Sequence, residues 1–375
     1  MRLTLLLALA VTAGLALAGG SAHAYPQFQL STGADRCQQC HFSPGGGGLI
    51  NEYGRSEAGD TISSGGDGAF LHGLWSPPEW LQLGGDYRSA GGLRQETNDL
   101  ETMLFPMQAD LYLRLGFGPI SVYVAGGGRA APREPTPALI DRLASREHYV
   151  LYQPESAGLY VRAGRFYPIF GLRLQDHTTY IRRFQDLYLL EEPYGVSAGW
   201  FGEGWEGHAM VYGPQPSPYL GAAPRAFGGT LYYERRALDD TAAWAAQARV
   251  AATSEDVEYT AGGIGKLWLE GAKLMLLGEL DVALQTFDVG PAREKVTSYL
   301  GATYFAMQGL MVGAAVNVWE PDVTLSGSSR SAADLNVQYF PWAHFELHLL
   351  GRIDARALDL GDPGFLGLLM FHYYL

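Results

Sequence analysis

The stretch HFELHLLGRID, residues 344–354, changes polarity at almost every step. Successive side chains of a strand point to opposite faces, so such a stretch has one apolar side and one polar side. The apolar side carries Phe345, Leu347, Leu349 and Ile353, and the polar side carries His344, Glu346, His348, Arg352 and Asp354. The stretch is predicted to be a β-strand with two unlike faces.

The same alternation recurs from residue 80 to the C-terminus, for example in QADLYLRLG (108–116), LMVGAAVNVW (310–319) and ADLNVQYF (333–340). Gly, Pro, Asp and Ser separate the segments, of which there are about sixteen. They lie near residues 80–89, 108–116, 119–126, 147–153, 158–165, 195–201, 205–213, 226–235, 242–252, 258–269, 273–285, 295–306, 309–319, 332–340, 344–354 and 365–374.

A soluble β-sandwich also alternates, with its apolar faces turned inward. An even number of segments, lengths near those that cross a bilayer at a tilt, and aromatic residues at many segment ends favour a membrane barrel. The last segment, FLGLLMFHYYL, reaches the C-terminus, where Leu375 replaces the aromatic residue that usually ends such chains. We therefore predict an all-β fold: a transmembrane antiparallel β-barrel of about 16 strands, covering residues 76–375, preceded by a small N-terminal segment.

The composition agrees with a sheet protein rich in tight turns. The chain has 49 Gly, 22 Tyr, 16 Phe and 8 Trp, and its formal net charge is -13. An acidic chain with three lysines does not suit a nucleic-acid partner. Residues 1–24 are predicted to be a cleaved signal peptide, with Arg2, an apolar run and the cleavage motif Ala22-His23-Ala24. A retained membrane anchor is the alternative, although the apolar run is short for a span.

Residues 25–75 are predicted to form a small head with one cofactor. Its sequence CQQCH places Cys37, Cys40 and His41 in the Cys-x-x-Cys-His attachment signature of haem c. Two thiols three residues apart reach two vinyl groups on one porphyrin edge, and the adjacent histidine binds the iron. The expected cofactor is one covalent haem c. Glycines 45–48 are expected to let the chain pass close to it, because glycine has no Cβ.

Three other uses of these cysteines fit the sequence less well. Structural zinc needs four ligands, and the chain has no second cysteine pair. A redox dithiol of the thioredoxin type needs a βαβ setting, which does not surround Cys37. A disulfide within Cys37–Cys40 is permitted by export but closes a very small loop and gives His41 no role.

The Cys-x-x-Cys-His signature does not include the sixth ligand of the iron. His72 is the only other histidine in residues 25–75, and no methionine precedes Met103 once the first 24 residues are removed, so His72 is the first candidate metal ligand. If the head enters the barrel, inward side chains also become candidates, and these are His208, His344, His348 and Met210.

Four longer interruptions are expected to be extracellular loops or plugs of the lumen, at residues 127–147, 166–194, 213–225 and 321–332. The second carries a basic cluster that either lines a constriction or is neutralised by ion pairs with Asp176, Asp186 and Glu191. The cluster consists of Arg162, Arg165, Arg173, Arg182, Arg183 and His177.

In its order of parts the chain resembles the fused monohaem cytochrome-porins of bacterial outer membranes, which are related to the outer-membrane iron-oxidising cytochromes. The resemblance lies in the signal segment, then AYPQF, then CQQCHFSPGGGGLINEYG (37–54), then porin-like strands. It implies a location in the bacterial outer membrane and electron transfer through a haem held by Cys37, Cys40 and His41. It also implies an extracellular electron donor or acceptor, iron among them, and a periplasmic c-type cytochrome as partner.

Two further functions stay open. The first is a diffusion porin in which the haem serves as a structural plug or a redox sensor. The second is an enzyme that acts on peroxide or another small oxidant, which requires an open position on the iron. Enzymatic activity therefore remains undecided, with ferrous-iron oxidation as the reaction that the resemblance suggests.

Overall fold

The computed structural model describes residues 25–96, 99–128, 143–185, 187, 191–214, 226–357 and 363–375. The predicted signal peptide, residues 1–24, lies outside these ranges. Parts of the loops predicted at 127–147, 166–194 and 213–225 lie outside them too, and so does Asp186.

Within the described residues, sixteen antiparallel strands close into one barrel, in which each strand pairs with its neighbours in the chain and β1 pairs with β16. All sixteen predicted segments correspond to strands, so the predicted barrel is confirmed. The strands are β1 Leu81–Glu96, β2 Asp99–Phe117, β3 Ile120–Gly128, β4 Leu143–Tyr152, β5 Gly158–Arg165, β6 Tyr194–Gly202, β7 Trp205–Tyr212, β8 Phe227–Ala237, β9 Ala242–Ala252, β10 Asp256–Leu269, β11 Leu274–Phe287, β12 Arg293–Met307, β13 Leu310–Glu320, β14 Arg330–Trp342, β15 Phe345–Arg356 and β16 Gly364–Tyr374.

The barrel is apolar outside and polar inside. In β2, Leu111 is 77% exposed, whereas its neighbours Asp110 and Tyr112 are 2% and 3% exposed. In β15, Leu349 is 52% exposed and the neighbouring His348 is 6% exposed. A soluble sandwich has the opposite polarity, because its apolar faces form the core. A closed barrel with an apolar outer band is the architecture of bacterial outer-membrane proteins, so the predicted location is confirmed.

The two ends of the barrel differ. At one end the strands are joined by short turns, such as residues 118–119, 203–204, 308–309 and 343–344. At the other end lie longer connections, including residues 166–193 between β5 and β6. Outer-membrane barrels place short turns in the periplasm and long loops outside the cell, so the short-turn end is the periplasmic end.

The head is built from short helices. They are α1 Gln27–Ser31, α2 Cys37–Cys40 and α3 Glu52–Glu57, followed by a π-helical turn at Ala58–Ile62 and a 3₁₀ turn at Phe70–Gly73. None of the helices among the described residues has both the length and the apolar character needed to cross a membrane. With so few apolar side chains of its own, the head requires the barrel as its support.

The head lies inside the barrel at its periplasmic end. Gln27 Nε2 donates to Gln338 Oε1 over 3.2 Å, and Leu49 N donates to Tyr123 Oη over 3.2 Å, so both the start and the middle of the head contact inward side chains. At the rim, Ser64 N donates to the Phe340 carbonyl over 2.9 Å. The head therefore docks in the mouth of the barrel and closes this end.

The β5–β6 loop enters the lumen from the other side. Gly171 N donates to Gln247 Oε1 and Leu172 N donates to Glu279 Oε2, each over 2.6 Å, so the loop crosses to the wall at β9 and β11. A helical turn in the described part of this loop, α4 (Tyr180–Arg183), begins where Tyr180 N donates to Asn317 Oδ1 over 3.1 Å. This loop is a lumen plug, one of the two roles expected for it.

Two arginines of the basic cluster, Arg165 and Arg173, lie against carboxylates in the part of the chain that the structure describes, as the ion-pair interpretation predicts. Arg165 pairs with Glu192 over 3.2 Å, and Asp176 pairs with Arg352 of β15 over 3.2 Å. Arg173 lies 3.9 Å from Glu206 and donates from Nη1 to the Gly45 carbonyl over 2.8 Å. Arg173 therefore joins the loop to the head at the centre of the lumen.

Candidate cofactor site

The cysteine motif forms a single helical turn, α2. The chain is extended at Arg36 on one side and at His41 on the other, and His41 N donates to the Cys37 carbonyl over 3.1 Å. Residues three apart on a helical turn lie on the same face, so the thiols of Cys37 and Cys40 are neighbours. They are free thiols in this structure. His41 then pairs with Ile50 through a β-bridge, which fixes its backbone.

Asn51 holds this turn in place, and the sequence analysis did not identify it. Its Nδ2 donates to the carbonyls of Gln39 and Gln38 over 2.9 Å and 3.2 Å, and its backbone N donates to the Cys40 carbonyl over 2.9 Å. Its Oδ1 accepts from Gly54 N over 2.9 Å, so Asn51 also caps α3. The available signal was an Asn three residues before Gly54, which is the spacing of a helix N-cap.

Cys37, Cys40 and His41 face one cavity between the head and the barrel wall. It contains about 940 Å³ of space not filled by protein, counting its opening to solvent. Most of the wall is apolar, and its apolar members include Tyr25, Phe28, Ile50, Ala58, Ile62, Phe340 and Leu375. Gly48 lines it as well, so one glycine of the run at 45–48 lies at the cavity as expected.

Burial sets the ionisation of the motif. It raises the pKa of the Cys37 thiol, although the nearby charges of Arg173 and Lys266 act to lower it. It also raises the pKa of the Cys40 thiol to about 12. It lowers the pKa of His41 to about 4, although Asp86 and the backbone of Gly48 act to raise it. His41 is therefore a neutral imidazole at neutral pH, which is the form that binds metal ions. Its buried Nδ1 makes no hydrogen bond of normal geometry.

The opposite wall carries a charged cluster from β1, β15 and β16. His372 Nε2 lies 2.7 Å from Asp86 Oδ1, and His372 Nδ1 lies 2.9 Å from Glu346 Oε2. Tyr25 Oη donates to the same Glu346 oxygen. Arg88 also lines the cavity, is 8% exposed, and has its Nε buried without a hydrogen-bond partner.

The candidates for the sixth ligand lie elsewhere. His72 does not line the cavity: it lies at the periplasmic rim, with its ring 5.0 Å from that of His344 and stacked 5.9 Å from Phe345. His208 bonds Tyr160 Oη over 2.9 Å and His348 Nε2 bonds Asn336 Oδ1 over 2.9 Å, each within the lumen but outside the cavity. The predicted inward orientation of His208, His348 and Met210 is confirmed by their burial.

A second, more polar cleft adjoins the cavity at the periplasmic end. It contains about 1220 Å³ of space not filled by protein, counting its opening to solvent, and its lining includes Arg36, Gln38 and Phe42 of the head and Gln153 of the β4–β5 turn. His41 lines both the cleft and the cavity. The motif therefore lies between the cavity and the periplasmic surface of the barrel.

Comparisons with known proteins bear on the barrel. No protein-family model and no curated protein matches the chain. Solved structures are similar in fold: OmpT of Vibrio cholerae, at 10% identity and a TM-score of 0.60, covers 80% of this chain and 99% of its own. The anion-selective porin from Comamonas acidovorans, at 12% identity and a TM-score of 0.57, covers 79% and 99%. Pseudomonas putida OprB, at 9% identity and a TM-score of 0.59, covers 79% and 94%. At these low identities, the similarity in structure shows that the chain has the fold of outer-membrane porins.

Proposed function

We propose that this porin-type barrel carries one covalent haem c in its head and passes electrons between an extracellular donor or acceptor and a periplasmic c-type cytochrome. The observation that carries the proposal is the convergence of Cys37, Cys40 and His41 on one mostly apolar cavity inside the barrel. The sequence signature requires only that the three residues be close in sequence, and it does not require a cavity beside them.

The residues present fit such a group. Cys37 and Cys40 would hold it through two thioethers, and the neutral His41 would bind its iron. Arg88 presents a buried guanidinium with an unpaired Nε at the same cavity. A haem carries two carboxylates, and a guanidinium is a preferred partner of a carboxylate. Arg88 would thus hold the polar edge of the group while the apolar wall contacts the rest.

When bound, haem c supplies reversible one-electron chemistry at its iron. The chain has three tasks: it fixes the imidazole of His41 through the Ile50 bridge, closes the lumen around the motif, and leaves a cleft to the periplasm beside His41. The β5–β6 loop meets the head through Arg173 and Gly45, which separates the cavity from the extracellular end. We propose the cleft as the surface where the periplasmic cytochrome docks.

The first experiment tests covalent attachment. The full chain is produced in a bacterium able to mature c-type cytochromes and separated by denaturing electrophoresis. We expect a haem-stained band at the size of the protein, strongly weakened in Cys37→Ala and lost when Cys40→Ala is added. Gln38→Ala, between the cysteines, is the matched control and should stain as the wild type does. An unstained wild-type band would refute the proposal.

A second candidate function is a diffusion porin whose head is a haem-bearing plug or a redox sensor. The porin fold of the chain favours it, and so does a polar cavity of about 610 Å³ in the lumen, lined by Gln27, Gln175 and residues of β12 to β15. Conductance in planar bilayers separates the two functions. A porin passes ions steadily and reduces a soluble cytochrome slowly, whereas a conduit exchanges electrons rapidly through a lumen with little ion current.

A further inference from the structure

Tyr25, the predicted first residue after signal cleavage, is held firmly at the wall of the cavity. First residues of a domain are usually poorly ordered unless they are tied down. The hydroxyl of Tyr25 bonds Glu346 and lies 3.2 Å from His372 Nδ1. Its ring packs 5.6 Å from that of Phe28 and 6.2 Å from that of Phe340. The side chain of Tyr25 thus fixes the position of its own backbone.

The backbone nitrogen of Tyr25 is unused in this arrangement. The carbonyl of Tyr25 accepts a hydrogen bond from Phe28 N over 3.0 Å, but its nitrogen makes none with the part of the chain that the structure describes. Signal peptidase hydrolyses the Ala24–Tyr25 bond, so that Ala24 receives the carboxylate and Tyr25 the amine. The released α-amino group is a nitrogen donor attached to a residue that lines the cavity.

Other nitrogen and sulfur donors at the cavity are already engaged. The lining holds no methionine among the described residues, and its histidines are His41 and His372. Both ring nitrogens of His372 face carboxylate oxygens, at 2.7 Å and 2.9 Å. A carboxylate oxygen therefore occupies the space beside each ring nitrogen, which leaves neither nitrogen open to a metal ion. The thiols of Cys37 and Cys40 are consumed by thioether formation.

We propose that the α-amino nitrogen of Tyr25 is the second protein ligand of the haem iron, with His41 as the first. This inference rests on the proposed function and on cleavage after Ala24. It gives Tyr25 two parts: the phenol ring is the anchor and the amine is the donor. It also replaces His72, which lies at the rim, as the favoured sixth ligand.

The test uses tyrosine labelled with the heavy nitrogen isotope, incorporated into the haem-loaded full chain. Tyrosine has a single nitrogen, so a strong hyperfine coupling from the isotope in pulsed paramagnetic resonance of the oxidised protein identifies a tyrosine amine bonded to iron. We expect this coupling, and N-terminal sequencing should give Tyr25 as the first residue. Labelled histidine is the positive control, because His41 should couple in every variant.

Two variants separate the amine from its anchor. An alanine inserted between Ala24 and Tyr25 moves the terminal amine by one residue, about 3.8 Å. It should abolish the tyrosine coupling and change the spectrum while the haem band persists. Tyr25→Phe keeps the ring and the terminal amine and removes the hydroxyl that bonds Glu346, so the nitrogen coupling should now come from labelled phenylalanine. His72→Ala should leave the spectrum unchanged.

The outcomes distinguish this inference from the proposed function. A stained haem band without tyrosine coupling in the wild type overturns the inference and leaves the haem site intact. A spectrum that changes in His72→Ala and persists in the alanine insertion also overturns it, in favour of a histidine ligand. A wild-type chain without covalent haem overturns the proposed function and the inference together.

Discussion

Lys266 Nζ on β10 lies 2.7 Å from Oε1 of Gln29 on α1, so a buried ammonium of the barrel wall donates to the head. The same ammonium is 2.7 Å from Glu234 Oε2, and Gln29 Nε2 donates to Glu234 Oε1 over 3.1 Å. All three side chains are buried. They form a closed network that joins the head to two strands of the wall.

Replacing Lys266 by methionine should loosen the head from the barrel. The change leaves Glu234 buried without its cation, and breaking a buried pair in this way costs about 3–5 kcal/mol. We expect faster proteolysis of residues 25–75 in detergent while the strands stay resistant. Lys266→Met combined with Glu234→Gln removes the uncompensated charge and should restore much of the protection. Equal proteolysis of Lys266→Met and wild type would mean that the network does not secure the head.

Gly48→Ala should impair the head more than Gly33→Ala, its matched control. Both glycines have left-handed backbones, with φ of 58° and 76°, which cost a non-glycine residue about 1–2 kcal/mol. At Gly33 an added Cβ has free space, whereas at Gly48 it overlaps the Tyr123 hydroxyl. We expect a lower yield of covalent haem in Gly48→Ala, partly recovered when Tyr123→Phe removes the hydroxyl. Equal yields in Gly33→Ala and Gly48→Ala would contradict the overlap.

Arg88→Leu should lower the midpoint potential of the haem that we propose for this cavity. Arg88 is a buried cation at the cavity. A nearby positive charge favours the reduced iron, because the reduced iron carries one positive charge less than the oxidised iron. Its loss should shift the potential downward by on the order of 60 mV, equal to about 1.4 kcal/mol for one electron. Arg88→Lys keeps the charge and should stay closer to wild type. A redox titration that gave the same potential for Arg88→Leu and wild type would exclude this role.

A fall in pH should release the β5–β6 loop from the lumen, because His177 becomes protonated. Burial lowers the pKa of His177 to about 4, although Asp176 acts to raise it, whereas the free side chain titrates near 6.5. Between these values the released loop binds more protons than the docked loop, so docking weakens as pH falls through this window. Across the whole window, the free energy that favours docking of the loop should fall by about 3 kcal/mol.

Ion current across a planar bilayer measures this release, since the docked loop fills the lumen. Wild-type current should rise as pH falls from about 6.5 to about 4. His177→Gln has no proton to gain in this range, so its current should change little. A rise of the same size in both proteins would assign the response to another group.

The strands were predictable because alternation is a local property. A residue pair such as Leu111 and Tyr112 already has opposite polarity in the sequence, and the fold only turns one outward and one inward. The same holds for Cys37, Cys40 and His41, since one helical turn followed by an extended residue fixes their relative positions. The prediction of a common site for these three needed no information about distant residues.

The far wall of the cavity could not be predicted in this way. His372 lies opposite Phe371 and Tyr373 in the alternation, which marks it as inward, but nothing local relates it to residues 25–50. Barrel closure pairs β16 with β1, and this brings His372 to Asp86. The sequence favours His72 as a ligand because it is the only other histidine in residues 25–75, yet the chain carries it to the rim against His344.

The sequence by itself determined the strand pattern, the polarity of each strand face and the three residues of the haem signature, because each depends on neighbours a few positions apart. The tertiary structure alone decided that the head and the β5–β6 loop fill the lumen from opposite ends. It also decided that Tyr25, Arg88 and His372 meet the motif across the cavity. These contacts join residues up to hundreds of positions apart, and they exist only once the barrel has closed around the head.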